Sequence, residues 1–342
     1  MAPNCRQSGS NAIRSSKGRI TVIDNSDSIF TRRDFLGTVT LAAAMSAGVL
    51  AAADPVDTII DTHTHFFDPT RKDGPPWPGK DDKLLYRPVL PEEFQALTKP
   101  HHVTGTVVVE ASPRVEDNQW ILDLADRNPF LVGLVGNLPV GTPEFAGHLK
   151  RFTKNSRFRG LRVNHGALKA GLETKAYLAD LRLIVEHDLE LDINGGPDML
   201  PEIARVAKIL PELRIVINHV ANVRIDGQAP PADWVAGMQT CAKFEKVFCK
   251  VSALVEGGRR ENQISPSDVQ FYVPVLDVVW QAFGEDRLVY GSNWPVSVRY
   301  APYPQVQQIA SDYFRGKGRT AYEKFFWKNS IAAYKWPAQK KV

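Results

Sequence analysis

Thr58-Ile59-Ile60-Asp61-Thr62-His63-Thr64-His65-Phe66 is a β-branched run that closes on two histidines one residue apart. In an extended chain alternate side chains share a face, so His63 and His65 point the same way. An open, doubly wound sheet would place a glycine-rich phosphate loop directly after its first strand. Here that position holds the imidazole pair instead. With the first run at 58–61, seven more follow, at 105–109, 131–135, 160–163, 189–193, 213–217, 246–251 and 287–290. Stretches with a 3.6-residue apolar period lie among them, at 118–127, 172–187, 199–210, 233–244 and 269–283. Alternating strands and helices imply parallel strands joined by right-handed crossovers, and eight such units close into a (β/α)8 TIM barrel. Residues 66–90, rich in Pro, Gly and Trp, read as a long active-site loop, and the tail after residue 300 reads as further helices packed on the barrel.

The chain has 342 residues, whereas such a barrel takes about 250. Part of the surplus lies at the front. Arg32-Arg33 precedes Phe35-Leu36, an apolar run of small residues follows to Ala53, and Ala51-Ala52-Ala53 offers an Ala-x-Ala cleavage site before Asp54. Charged start, short apolar run and small-residue site describe a secretory signal, and the paired arginines match the twin-arginine type. The expected organisation is a signal peptide over 1–53 and one barrel domain over 54–342, exported to the periplasm or beyond. The formal net charge is +4, of which residues 1–53 hold six basic and three acidic side chains, a net of +3. The body is thus nearly neutral, so the overall basic charge owes much to the leader and gives no argument for a nucleic-acid partner. No basic amphipathic helix marks the body for a membrane after cleavage. Cys241 and Cys249 are the two cysteines of the body, without a CxxC spacing. They are a candidate disulfide or two buried thiols.

A TIM barrel carries its chemistry at the C-terminal ends of its strands. Strand one ends in His63 and His65, which at this spacing can chelate one divalent ion. Strand two ends at Glu110, a candidate metal ligand, base or partner for a histidine. Strand four ends at Arg162, which suits a substrate carboxylate or a salt bridge across the mouth. Strand six leads into Asn218-His219. Strand seven holds Lys250, which is costly to bury unpaired and calls for Glu110 or a substrate anion. Strand eight leads into Asn293 and Trp294, and Trp294, Phe66, Phe67 and Trp77 are candidates to line the pocket. Asp61 is read as orienting backbone groups, and His101, His102, His148 and His187 as surface residues.

Five stretches resemble the amidohydrolase-related family, especially its sugar-lactonase and 2-pyrone-4,6-dicarboxylate lactonase branch. They are Ile60–Phe66, Phe158-Arg159-Gly160-Leu161-Arg162, Val216-Ile217-Asn218-His219, Lys250-Val251-Ser252 and Tyr290-Gly291-Ser292-Asn293-Trp294-Pro295-Val296. They fall in the family's order over nearly all of the body. The resemblance implies a metal-dependent-hydrolase-like barrel with His63 and His65 as the first-strand pair. It also implies that His219 binds metal or polarises the substrate carbonyl. Two departures matter. The lactonases place an aspartate at position 293 to activate the hydrolytic water. Asn293 cannot accept a proton at neutral pH, although it can orient a water or offer its oxygen to a metal. The fifth strand, Leu191-Asp192-Ile193-Asn194, lacks the histidine of metal-rich relatives, so one divalent ion, zinc or manganese, or none at all, is expected. The leading expectation is hydrolysis of a small-molecule lactone, of a sugar acid or an aromatic-degradation product. Glu110 or His219 then supplies the base, and Arg162 and Lys250 anchor an anion. The alternatives are a metal-dependent non-oxidative decarboxylase and a catalytically impaired, ligand-binding barrel.

Overall fold

The computed structural model describes residues 58–259 and 264–337, so the leader expected over 1–53 lies outside the described residues. All eight expected strands form: β1 (Ile59–Thr64), β2 (Val103–Val109), β3 (Leu131–Gly136), β4 (Phe158–Asn164), β5 (Glu190–Asn194), β6 (Arg214–Ile217), β7 (Val247–Val251) and β8 (Leu288–Tyr290). They pair in parallel in chain order. Every residue of β1, β3, β6, β7 and β8 is buried. That is why these strands read as continuous apolar runs rather than alternating ones: helices cover one face and the barrel interior the other.

The barrel closes between its first strand and the chain after its last. β8 is short, so the seam is completed by Asn293 N–H donating to the His63 carbonyl at 2.9 Å and His65 N–H donating to the Trp294 carbonyl at 2.9 Å. Asp61 reinforces it as expected: its Oδ1 accepts from the His63 and Ser292 backbone N–H groups at 3.1 and 2.9 Å. Gly291 is required here, because a Cβ at that position would stand 2.7 Å from the His63 Cβ.

The helices follow the apolar period with three adjustments. The stretch 172–187 forms the helix Lys175–Glu186, which starts late because Thr174 takes an extended conformation and caps it through the Tyr177 N–H, and a separate helix, His165–Gly171, precedes it outside that stretch. The stretches 199–210 and 269–283 begin as 3-10 turns, Pro197–Met199 and Val269–Phe271. Two helices of eight residues, Pro91–Thr98 and Phe145–Phe152, escape the sequence reading because they are too short to display a period. The loop 66–90 is drawn closed at its base by paired bonds between Phe67 and Val89. The tail runs through helices Tyr303–Arg315 and Asn329–Tyr334 to the N-terminal ends of the strands. There Arg159 and Arg214 donate to the carbonyls of Tyr334 and Ala333 at 3.0 and 2.9 Å. Tyr334 enters the apolar cluster inside the barrel, with Val107, Val216 and Val289. The tail therefore stoppers one end and leaves the other for the site.

Candidate active site

Three imidazoles meet at the C-terminal ends of the strands. The His63 ring lies 4.9 Å from that of His65 and 4.4 Å from that of His219. His63 and His65 come from one strand end, while His219 arrives from across the barrel on an unusual piece of backbone. Residues His219, Val220, Ala221 and Asn222 all have φ between 45° and 59°, a left-handed turn that side chains rarely adopt. The turn is held by Trp234 Nε1–H on the Val220 carbonyl at 2.9 Å and by Asn222 Nδ2–H on the Gly195 carbonyl at 2.8 Å.

The neighbours of each ring define its protons. His65 Nδ1 stands 2.9 Å from the Val109 carbonyl, which can only accept, so Nδ1 bears the hydrogen and the neutral ring keeps its lone pair on Nε2. His63 Nδ1 stands 3.2 Å from Lys250 Nζ, and Lys250 is itself paired with Asp192 at 2.7 Å, both side chains fully buried. An ammonium can only donate, so His63 accepts at Nδ1 and carries its hydrogen on Nε2, an atom with no partner of its own. His219 Nδ1 bonds Ser252 Oγ at 2.8 Å. Burial, then the nearby cations, holds all three rings neutral. His63 and His219 sit well below the usual imidazole range, and His65 is lowered to about 3.

A cavity of about 630 Å³ opens over this cluster. His65, His219 and Asn293 face it, with the carboxamides of Asn137, Asn164 and Asn194 and the rings of Trp77 and Tyr177 on its walls. Glu110 and Arg162 line it as a closed pair. Arg162 Nε donates to Glu110 Oε1 and its Nη2 to the Glu110 carbonyl, both at 2.8 Å, and Glu110 Oε2 accepts from the Ser112 N–H at 2.8 Å. This salt bridge is one of the two arrangements expected of Arg162; it sets the charges of Arg162 and Glu110 against each other at the cavity wall and engages both Glu110 side-chain oxygens. Lys250 is corrected more sharply. It pairs neither with Glu110 nor with the cavity, but lies in the barrel interior beneath His63, because Asp192 on β5 supplies its counter-charge. Trp294 and Phe66 are corrected too: both are core, with the Trp294 ring 4.9 Å from Phe94 and 6.0 Å from Phe66. Cys241 and Cys249 are free, buried thiols.

Asn293 occupies the point where strand eight meets the imidazoles. Its φ of 58° is one that asparagine tolerates better than most residues. Its Oδ1 stands 3.2 Å from His65 Nε2, and its Nδ2 donates to Glu256 Oε1 at 2.8 Å. Glu256 belongs to a single helical turn after β7, Leu254–Gly257, and the sequence reading missed it. Its one signal was a lone acid in the apolar run after strand seven. Ser252, in the Lys250-Val251-Ser252 stretch, gains its role from the contact with His219.

The donor set does not fit a tightly held divalent ion. His63 has its lone pair engaged by Lys250, strands five and eight offer the carboxamides Asn194 and Asn293, and both oxygens of Glu110 are taken. The charges of Lys250 and Arg162 act on the same imidazoles. Among the described residues no group of three or more His, Cys, Asp or Glu side chains is arranged to hold a metal.

The sequence profile of the amidohydrolase family matches residues 60–336. An L-fucono-1,5-lactonase of Burkholderia ambifaria is 31% identical over 241 residues, covering 70% of this chain and 80% of that protein. Among solved structures, an amidohydrolase from Burkholderia multivorans with bound zinc superposes with a TM-score of 0.74 at 22% identity, over 82% of this chain and 100% of its own. A putative 2-pyrone-4,6-dicarboxylic acid hydrolase from Pseudomonas putida gives a TM-score of 0.63 at 19% identity, over 83% and 99%.

Proposed function

This chain belongs to the amidohydrolase family, and from that premise we propose that it hydrolyses a neutral lactone of a sugar acid, without a metal. One observation carries the choice of substrate. Of the charged side chains among the described lining residues, Glu110 and Arg162, each is matched by the other, while the polar part of the remaining wall is mainly carboxamides set among aliphatic side chains and the rings of Trp77 and Tyr177. Carboxamides bond hydroxyl groups in either sense, whereas a dicarboxylate would enter with no free cation to meet it. The relative named as an L-fucono-1,5-lactonase points the same way. The decarboxylase alternative loses support with the metal, whose ligands it would need.

The chemistry follows from the protons. His65 Nε2 and Asn293 Oδ1, 3.2 Å apart, are both acceptors. One water can donate a hydrogen to each, which turns its own lone pairs toward a carbonyl carbon above. Ser252 Oγ can donate to His219 Nδ1, 2.8 Å away, and in that tautomer His219 presents N–H at Nε2 to polarise the lactone carbonyl. As water attacks, its proton passes to His65 Nε2 and the carbonyl oxygen becomes an oxyanion. That negative charge offsets the nearby cations that depress His65, so its basicity rises as the reaction needs it. The tetrahedral centre then collapses, the ring C–O bond breaks, and the His65 proton goes to the departing alkoxide.

The test is turnover of L-fucono-1,5-lactone and 2-pyrone-4,6-dicarboxylate by purified protein, before and after metal chelation. We expect the sugar lactone to be opened with kcat/KM about 100-fold above the dicarboxylate, from the cost of desolvating two unmatched carboxylates. Chelation should leave the rate unchanged. Folded protein that opens no neutral sugar-acid lactone, or one that stops when stripped of metal, overturns the reading.

A further inference from the structure

A carboxamide has two nearly identical ends, and the water site described above works with only one of them. With Oδ1 toward His65, Asn293 adds a second acceptor for the attacking water. With Nδ2 there instead, its N–H would donate to His65 Nε2 and occupy the base. Nothing within Asn293 chooses between these. The choice comes from Glu256. Its Oε1 accepts from Asn293 Nδ2 at 2.8 Å, and its Oε2 is buried without a partner. Among the described residues no cation pairs with this carboxyl. The guanidinium of Arg259, from the same segment, reaches only the Glu256 backbone carbonyl at 3.5 Å. From strands one and eight it is faced by Asn293 and, beyond it, the neutral His65. A buried carboxyl without a counter-ion is costly, and such groups concentrate where chemistry uses them.

We propose that Glu256 is the positioning residue of the water site, resting on the lactonase reading: its carboxylate holds the Asn293 amide nitrogen and so keeps the carboxamide oxygen on the water shared with His65. It places, one hydrogen bond further out, the negative charge that a carboxylate at position 293 would have carried. When Glu256 is protonated it can donate to the carboxamide oxygen, Asn293 turns, and the base is blocked. Burial raises the Glu256 carboxyl to about 7, so this turn falls in the neutral range.

The experiment compares wild type, E256Q, N293D and the charge-transposed N293D/E256Q, measuring kcat and KM on L-fucono-1,5-lactone against pH. In wild type kcat rises with pH through a midpoint near 7. In E256Q the midpoint vanishes and kcat falls about 100-fold with KM little changed, since the site is misaligned but not emptied. In N293D two carboxyls share one proton, and the profile moves instead of disappearing. N293D/E256Q recovers to within about tenfold of wild type, because a carboxylate then faces His65 directly and the carboxamide introduced at position 256 donates to it. A second readout needs no turnover: the Asn293 side-chain amide, followed by 15N NMR and assigned by its loss in N293D, shifts with the same midpoint in wild type and stays flat in E256Q. If wild type opens no lactone, the function falls while the amide titration still tests Glu256. An E256Q enzyme that keeps wild-type kcat and its midpoint, or an amide signal indifferent to Glu256, overturns the proposal.

Discussion

Glu256 also leaves a mark on stability. Its carboxyl is raised from an ordinary 4.5 to about 7, chiefly by burial. Between those values the folded protein holds a proton that the unfolded chain has released, so stability declines as pH rises. The contribution is fully present below about 4.5 and lost through about 7, roughly 3 kcal/mol in total. E256Q removes that slope, so its melting temperature gains on wild type steadily from pH 4.5 to about 7. A difference that is flat across this range would mean the carboxyl is not held protonated. At this scale the sequence was legible where residue type and position coincide with a strand end: His63, His65, His219 and Asn293 all arrive where they were expected. Glu256, Ser252 and the Val109 carbonyl were not legible, because their roles arise from contacts between elements and leave no spacing. Lys250 was misjudged for a related reason. A buried lysine announces that it needs a partner, but β5 supplied Asp192 from within the barrel and the cavity was not required.

The strands were readable because both their faces are buried, which concentrates Val, Ile and Leu in short runs. The short helices Pro91–Thr98, Phe145–Phe152 and His165–Gly171 and the start of Lys175–Glu186 were not, since about two turns or a lone threonine cap carry too little pattern. The least readable element is the seam between β1 and the chain after β8. There Asp61 does through one oxygen what a longer β8 would have done through its backbone. Removing that oxygen in D61A leaves the His63 and Ser292 N–H groups unmatched in a buried place, at about 1–3 kcal/mol each. D61N keeps the acceptor. Since burial already raises the Asp61 carboxyl to about 6, the loss of its charge costs little near neutrality. Chemical denaturation should therefore rank wild type and D61N close together and D61A several kcal/mol below. Equal losses in D61N and D61A would show that charge rather than geometry joins the seam.

At the scale of the whole chain, the barrel is self-sufficient in a way that bears on where it works. β1 begins at Ile59, whose N–H is anchored on the His102 carbonyl at 3.2 Å, so a cut after Ala53 would leave every strand of the barrel intact. Its two thiols are free and pushed up by burial, so folding asks for no oxidising compartment. Both properties suit a protein that folds before it is moved, which is what a twin-arginine leader demands, and we propose that residues 1–53 serve as one and are then removed. Two altered chains test this. One that starts at residue 54 should match the full-length protein in melting temperature and in kcat, because every described strand of the barrel begins after that point. Full-length chain carrying R32K and R33K should accumulate folded and active inside the cell, whereas the unaltered chain reaches the periplasm shortened at Ala53. Export that survives the double substitution would rule out the twin-arginine route. A truncated barrel that melts lower would mean that the first 53 residues belong to the fold.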